Sequence, residues 1–265
     1  MARDQMLTRP AAFASPHAVG DDLGFSALGG TERKVVTVLF VDVQGSMGLI
    51  SAIELEEWWS VIDGLFELMC ESVYRFDGWV ASFTGDGIKA VFEPHPGCDH
   101  HARRACRAAL WLRDAISGPA AELRSDHGLE LSVRVGINSG EVLTGTIGDR
   151  YMRYYTVNGY AVALAKRIEA LARPGTVYVS EHTAALVAGA FRLHDLGAFT
   201  VKGADLPVGA SELVAERPAI VPTSGSAGRR RSGRDQVRRQ MRIERRERGP
   251  RGDARASANV PVRTG

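Results

Sequence analysis

Val38-Leu39-Phe40-Val41-Asp42-Val43-Gln44-Gly45 and Phe83-Thr84-Gly85-Asp86-Gly87-Ile88 are the two stretches around which this chain is organised. Each sets one carboxylate at the end of a very apolar, strand-like run. Burying an unpaired charge is costly, so a carboxylate beside a core needs a cation partner, a metal or solvent at a strand end. Two such aspartates suit a site that holds paired divalent ions on a phosphate. For either one alone, a turn cap at a strand end is the plainer account.

Working outward, the β-branched and aromatic run over residues 34–43 reads as a strand buried on both faces. Ser51-Ala52-Ile53-Glu54 fits a capping box. The helix after it carries Leu55, Trp58, Ile62, Leu65, Met69 and Val73 on one apolar face, which Trp59 and Phe66 widen. Asp77-Gly78 ends it. Residues 79–84 and 88–92 read as two strands joined by a tight turn containing Asp86-Gly87, which places Asp86 at a hairpin tip. A helix is expected over residues 99–116, with Ala102, Ala105, Ala109 and Leu112 facing inward. Residues 129–138 alternate as a strand, and Asn138-Ser139-Gly140 is read as a turn into another strand over 141–147. A strand over 154–157, a helix over 160–172, a strand over 176–179, a short helix over 181–187 and two last strands over 191–201 and 208–214 complete the pattern. The order predicts an α+β fold, a mixed sheet covered by helices with a ferredoxin-like βαββαβ core.

The net charge of +2 hides an asymmetry: from Arg217 onward there are 14 arginines and four acids, a net +10, so the remainder carries −8. Residues 1–32 are read as a disordered leader, 33–215 as the folded domain, and 216–265 as a disordered Arg-rich tail that cannot bury enough apolar surface to fold alone. The tail is a solvated extension, a phosphate-neutralising contact to nucleic acid, or an out-of-register remnant of a longer protein. It lacks aromatics for base stacking. Three cysteines without redox or zinc spacing point to a reducing, cytoplasmic setting. No run reaches the ~20 apolar residues of a bilayer span, and no signal-peptide core is found. His95, Cys98, His100 and His101 cluster, but their spacing matches no structural zinc pattern.

Taken together, the motifs resemble the class III nucleotide cyclase catalytic domain, over about residues 33–214. The resemblance rests on Val41-Asp42-Val43-Gln44-Gly45, Gly85-Asp86-Gly87 and Val133-Arg134-Val135-Gly136-Ile137-Asn138-Ser139-Gly140-Glu141-Val142. Tyr155-Thr156-Val157, Ala165-Lys166-Arg167-Ile168-Glu169, Pro174-Gly175 and Val201-Lys202-Gly203 follow in order. Gly45-Ser46-Met47 is similar to a bacterial subgroup whose members often carry further domains downstream, none of which is expected here. The resemblance implies conversion of ATP, or less readily GTP, to a 3′,5′-cyclic nucleotide and pyrophosphate for intracellular signalling. It implies two Mg²⁺ or Mn²⁺ ions held by Asp42, Asp86 and the Val43 carbonyl. It also implies a site formed between two protomers, in a homodimer or a heterodimer with another cyclase domain. By the same resemblance Arg167 steadies transition-state charge, Lys202 contacts the terminal phosphates, and Thr156 reads the purine edge.

Two positions depart from the family pattern. Ser82 stands where the purine-reading lysine is expected, and Ala163 where a transition-state asparagine is expected. Losing one positioned donor costs roughly 10²–10³ in rate. The departures imply a slow enzyme, one with altered base choice, or a cyclase-like module that binds nucleotide or dimerises without turnover.

Overall fold

The computed structural model describes residues 31–97, 100–148 and 153–218. All of them lie in the first of two units, Met1–Ala219 and Ile220–Gly265. Nearly all of the expected leader and tail therefore falls outside the described residues. In chain order the elements are β1 (Glu32–Val43), α1 (Ser46–Ala52), α2 (Leu55–Tyr74), β2 (Trp79–Phe83), β3 (Gly87–Phe92), α3 (His101–Ala115) and α4 (Ser117–His127). Then come β4 (Val133–Gly148), β5 (Arg153–Asn158), α5 (Tyr160–Leu171), β6 (Val177–Ser180), α6 (Glu181–Val187), β7 (Phe191–Phe199) and β8 (Val208–Glu216).

The strands form one sheet in the order β2-β3-β1-β4-β6-β8-β7, with β5 paired to β4 off this path. The first four strands thus take the ferredoxin-like arrangement. β1 is central because its side chains are apolar on both faces. Leu39, Val41 and Val43 pack with Leu65 and Met69 of α2 and Ala105 and Leu112 of α3. Val36, Val38 and Phe40 pack with Ala161 and Ala165 of α5. β1 runs antiparallel to β3 and β4, whereas β4 and β6 are parallel.

Several local expectations are corrected. Ser51 is not the α2 cap: it lies in the last turn of the short α1 and donates its hydroxyl to the Gly48 carbonyl, while α2 begins after Glu54 with no side-chain cap. Leu55 and Trp59 are exposed at 62% and 73%, so they do not belong to the α2 core stripe. The hairpin turn centres on Gly85-Asp86, not Asp86-Gly87. Gly85 takes the positive φ of 82°, and the Thr84 N–H bonds to the Gly87 carbonyl. Residues 133–148 are one continuous strand with no turn at Asn138. There the Asn138 side chain is buried, donates to the Ala161 carbonyl and accepts from the Ser180 hydroxyl. Helix α4 escapes sequence reading because it buries only Leu123 and so carries no apolar stripe.

A buried polar chain ties the layers together. Thr37 bonds to His101 Nδ1 at 2.7 Å and to the Ser139 hydroxyl at 2.8 Å, and Ser139 reaches Thr183 at 3.1 Å. His101, drawn from the histidine-rich loop, is therefore part of the core. Burial first, then the charges of His100, Arg104 and His182, push its pKa down from 6.5 to about 4. The fold thus requires neutral His101. Between pH 6.5 and 4 the unfolded chain binds a proton that the folded chain refuses, so this contribution is full above pH 6.5 and is lost as pH falls. The loss is on the order of 3 kcal/mol by pH 4. His101→Gln is expected to flatten this part of the stability profile, read from urea midpoints between pH 7 and 4.5.

Candidate active site

Sheet register brings the two aspartates to one end of the molecule. Asp42, the penultimate residue of β1, lies directly across from Gly87, and Asp86 immediately precedes Gly87. The approach needs glycine: a Cβ on Gly87 would fall 2.0 Å from the Val41 carbonyl oxygen. Asp86 is half-buried and lines a cavity of about 550 Å³ with Ser46, Trp58, Trp59, Ile62 and Phe66. Exposed Trp59 thus belongs to a cavity wall. Val43 closes β1 opposite Val133, and the following amide, Gln44 N–H, bonds to the Ser132 carbonyl.

Asp42 does not stand alone. Its carboxylate meets Arg134 Nη2 at 2.8 Å and Lys166 Nζ at 3.3 Å. Both cations also contact Glu169, Arg134 at 3.2 Å and Lys166 at 2.6 Å. Arg134 comes from β4 directly across from Asp42, and Lys166 and Glu169 come from α5. The Glu169 side chain is fully buried. Burial raises its pKa, and Lys166 only partly offsets this. Burial works against the Lys166 ammonium too, but Glu169 and Asp42 outweigh it and leave its pKa raised. Two acids and two bases therefore balance in charge, which is what makes a buried glutamate tolerable. Helix α5 comes close enough to build this cluster because Gly136 carries no side chain.

The donor set fits a hard divalent cation. Asp42 and Asp86 offer carboxylate oxygens at neighbouring register positions, and Mg²⁺ characteristically takes one or two carboxylates beside phosphate and water. Among the described residues no group of three or more His, Cys, Asp or Glu forms a complete metal cage. A cation held by Asp42 and Asp86 would therefore need further ligands from phosphate, water or backbone oxygen.

The other sequence candidates fall into two groups. Ser82 and Thr156 lie on the α5 side of the sheet: Ser82 pairs with Lys89 in the β2–β3 register, and Lys89 Nζ donates to Thr156 Oγ1 at 3.0 Å. Arg167 and Ala163 are exposed on α5, opposite its buried residues Ala161, Ala165 and Ile168. Lys202 is exposed on the turn between β7 and β8. Arg167 contacts no partner among the described residues, and its helix presents Lys166 and Glu169 to Asp42 instead. Arg134, Lys166, Glu169 and Lys89 escaped the sequence reading as site residues. The available signal was a charge inside an otherwise apolar strand, as in Gly87-Ile88-Lys89-Ala90-Val91-Phe92.

The family model for the adenylate and guanylate cyclase catalytic domain matches residues 30–212. Adenylate cyclase 1 of Rhizobium meliloti is 27% identical over 193 residues, covering 72% of this chain and 29% of that protein. An adenylate cyclase of Anabaena cylindrica is 29% identical over 148 residues, 55% of this chain and 29% of that protein. This chain thus spans less than a third of the length of these relatives. Among solved structures, the adenylyl cyclase CyaB from P. aeruginosa superposes with a TM-score of 0.67 at 26% identity, covering 71% of this chain and 97% of that one. The guanylate cyclase domain of RhGC from Catenaria anguillulae gives 0.62 at 23%, covering 70% and 100%, a likeness of fold.

Proposed function

The chain belongs to the adenylate and guanylate cyclase catalytic domain family, and we propose that it converts ATP, less readily GTP, to a 3′,5′-cyclic nucleotide and pyrophosphate. The observation that carries this reading is the register that sets Asp42 against Gly87, next to Asp86, which lines an open cavity. Bound Mg²⁺ or Mn²⁺ would supply Lewis acidity toward the ribose 3′-hydroxyl and the phosphate oxygens. Asp42 and Asp86, with the Val43 carbonyl, would hold those ions. In the reaction the 3′-hydroxyl gives up its proton to solvent as the O3′–Pα bond forms, the bond from Pα to the bridging oxygen breaks, and pyrophosphate leaves. Arg134, Lys166 and Glu169 fix the Asp42 carboxylate in place. Arg167 neutralises charge gathering on the α-phosphate, and Lys202 meets the terminal phosphates.

The placement of Arg167 favours a site shared by two chains. Tyr160, Ala163 and Arg167 are exposed and share the outward side of α5, turned from Asp42 of the same chain. A second protomer supplies an arginine where the first supplies aspartates. Exposed apolar residues support such a partner: Leu143, Ile147 and Tyr154 on the β4–β5 pair are 46%, 46% and 48% exposed, and Ile147 sits across from Tyr154.

Purified protein with Mn²⁺ and ATP is expected to form cyclic nucleotide above an Asp42→Asn control. Mixing Asp42→Asn with Arg167→Ala is expected to restore about a quarter of wild-type activity, because half the dimers are mixed and each keeps one intact site. Exposed Ala163 and the Lys166 contact on Asp42 favour a second reading, a nucleotide-binding module without turnover. Binding of ATP with no product from ATP or GTP would select it.

A further inference from the structure

Position 82 lacks the lysine that purine reading calls for, yet the fold returns one to the same place from the next strand. Lys89 lies directly across from Ser82 in the β2–β3 pair, and opposed residues in an antiparallel pair project to the same face. That face is the one carrying Asp42, since Lys89 also registers with Phe40, two residues before Asp42. Its neighbours Ile88 and Ala90 turn the other way, into the α2–α3 core. Lys89 Nζ donates to Thr156 Oγ1 at 3.0 Å, and Thr156 is itself buried.

The environment is unusual for a lysine. Val38, Phe40, Trp79 and Val91 form the apolar cluster on this face. Burial pulls the Lys89 ammonium pKa below its ordinary value. Among the described residues no carboxylate pairs with it, so its charge is answered by one hydroxyl. An ammonium has three donors and no acceptor, so two donors remain for another acceptor.

We infer that Lys89 and Thr156 form the base-reading pair of the nucleotide pocket, with Lys89 standing in for the lysine absent at position 82, and that the pair prefers adenine. This rests on the cyclase reading above. Adenine presents an acceptor at N1 and a donor at its 6-amino group. Lys89 donates to N1, and the Thr156 oxygen accepts from the amino group. Guanine presents a donor at N1, which repels an ammonium in that position.

The test compares the wild type, Lys89→Met and the relocated pair Ser82→Lys/Lys89→Met. Each is assayed for kcat/KM with ATP and GTP, and for competition by ATP, GTP and 1-deaza-ATP against a fluorescent ATP analogue in Mn²⁺. Melting temperatures confirm folding, and Lys89→Gln provides a polar second variant. The wild type should prefer ATP and bind 1-deaza-ATP, which lacks N1, poorly. Lys89→Met and Lys89→Gln should lose about 10–100-fold toward ATP, the scale of one charge-assisted hydrogen bond. Both should lose discrimination against 1-deaza-ATP, and relocation should restore it. Wild-type binding or turnover with base discrimination unchanged in Lys89→Met and Lys89→Gln overturns the inference and leaves the cyclase reading standing. A wild type that neither binds nor converts any nucleoside triphosphate overturns both.

Discussion

Asp42→Asn is expected to lower cyclic nucleotide formation by about 10³-fold, the upper end of what one positioned electrostatic group is worth, while leaving the fold standing. The substitution keeps shape and an oxygen for Arg134 but removes the negative charge that draws a divalent cation to the end of β1. The fold is protected because Arg134 and Lys166 still share buried Glu169 at 3.2 and 2.6 Å. A structural aspartate and a cation-holding one therefore separate experimentally. In the first case the melting temperature falls together with the rate. In the second the melting temperature holds while Mn²⁺ affinity, read by electron paramagnetic resonance with a non-cyclising ATP analogue, collapses with the rate. Asp86→Asn should behave the same way. An Asp42→Asn protein that kept wild-type Mn²⁺ affinity and turnover would remove the register argument from which the function is built.

The parts of this molecule legible in its sequence are those where one local pattern maps to one structure. The β1 run is apolar at consecutive positions and so had to be a strand buried on both faces. The small residues of α3 and the alternation around Val133 and Val135 gave the helix and the strand beside it. The placing of Asp42 near the end of β1 and of Asp86 just before β3 was legible because each closes or opens an apolar run. What was not legible depends on pairing across the sheet. The salt-bridge cluster joins residues 42, 134, 166 and 169, and no local period links β1, β4 and α5. Lys89 looks like one polar residue in a strand until the β2 register sets it opposite Ser82. Asn138-Ser139-Gly140 has turn composition, but the surroundings offer the Asn138 and Ser139 side chains buried partners, which makes continuing the strand cheaper than turning. Arg167 was singled out by motif alone. Its direction, away from Asp42, follows only from which face of α5 is buried.

The largest loss of stability is expected from the smallest change, Gly136→Ala. A Cβ built on Gly136 would lie 2.1 Å from the Glu169 amide nitrogen and 2.4 Å from its Cα. Both are backbone atoms, so no rotamer change relieves the clash, and α5 must lift from β4. Lifting it separates Lys166 and Glu169 from Asp42 and Arg134, uncovers the Ala161 and Ala165 contact with β1, and displaces the arginine on the outer side of the helix. The cost should reach about 3 kcal/mol or more, the top of the range for overpacking a close-packed interior. Cyclic nucleotide formation should fall with it. Two glycines calibrate the effect. At Gly140 a Cβ meets only the Ala161 side chain, at 3.0 Å, so Gly140→Ala should cost about 1 kcal/mol. At Gly64, within α2, nothing lies within 4 Å, so Gly64→Ala should stabilise by up to about 1 kcal/mol through helix propensity. Urea unfolding of the three variants gives the order directly. Gly136→Ala tolerated as well as Gly140→Ala would mean that α5 does not rest on bare backbone, and the route by which Glu169 reaches Asp42's partners would need a different account.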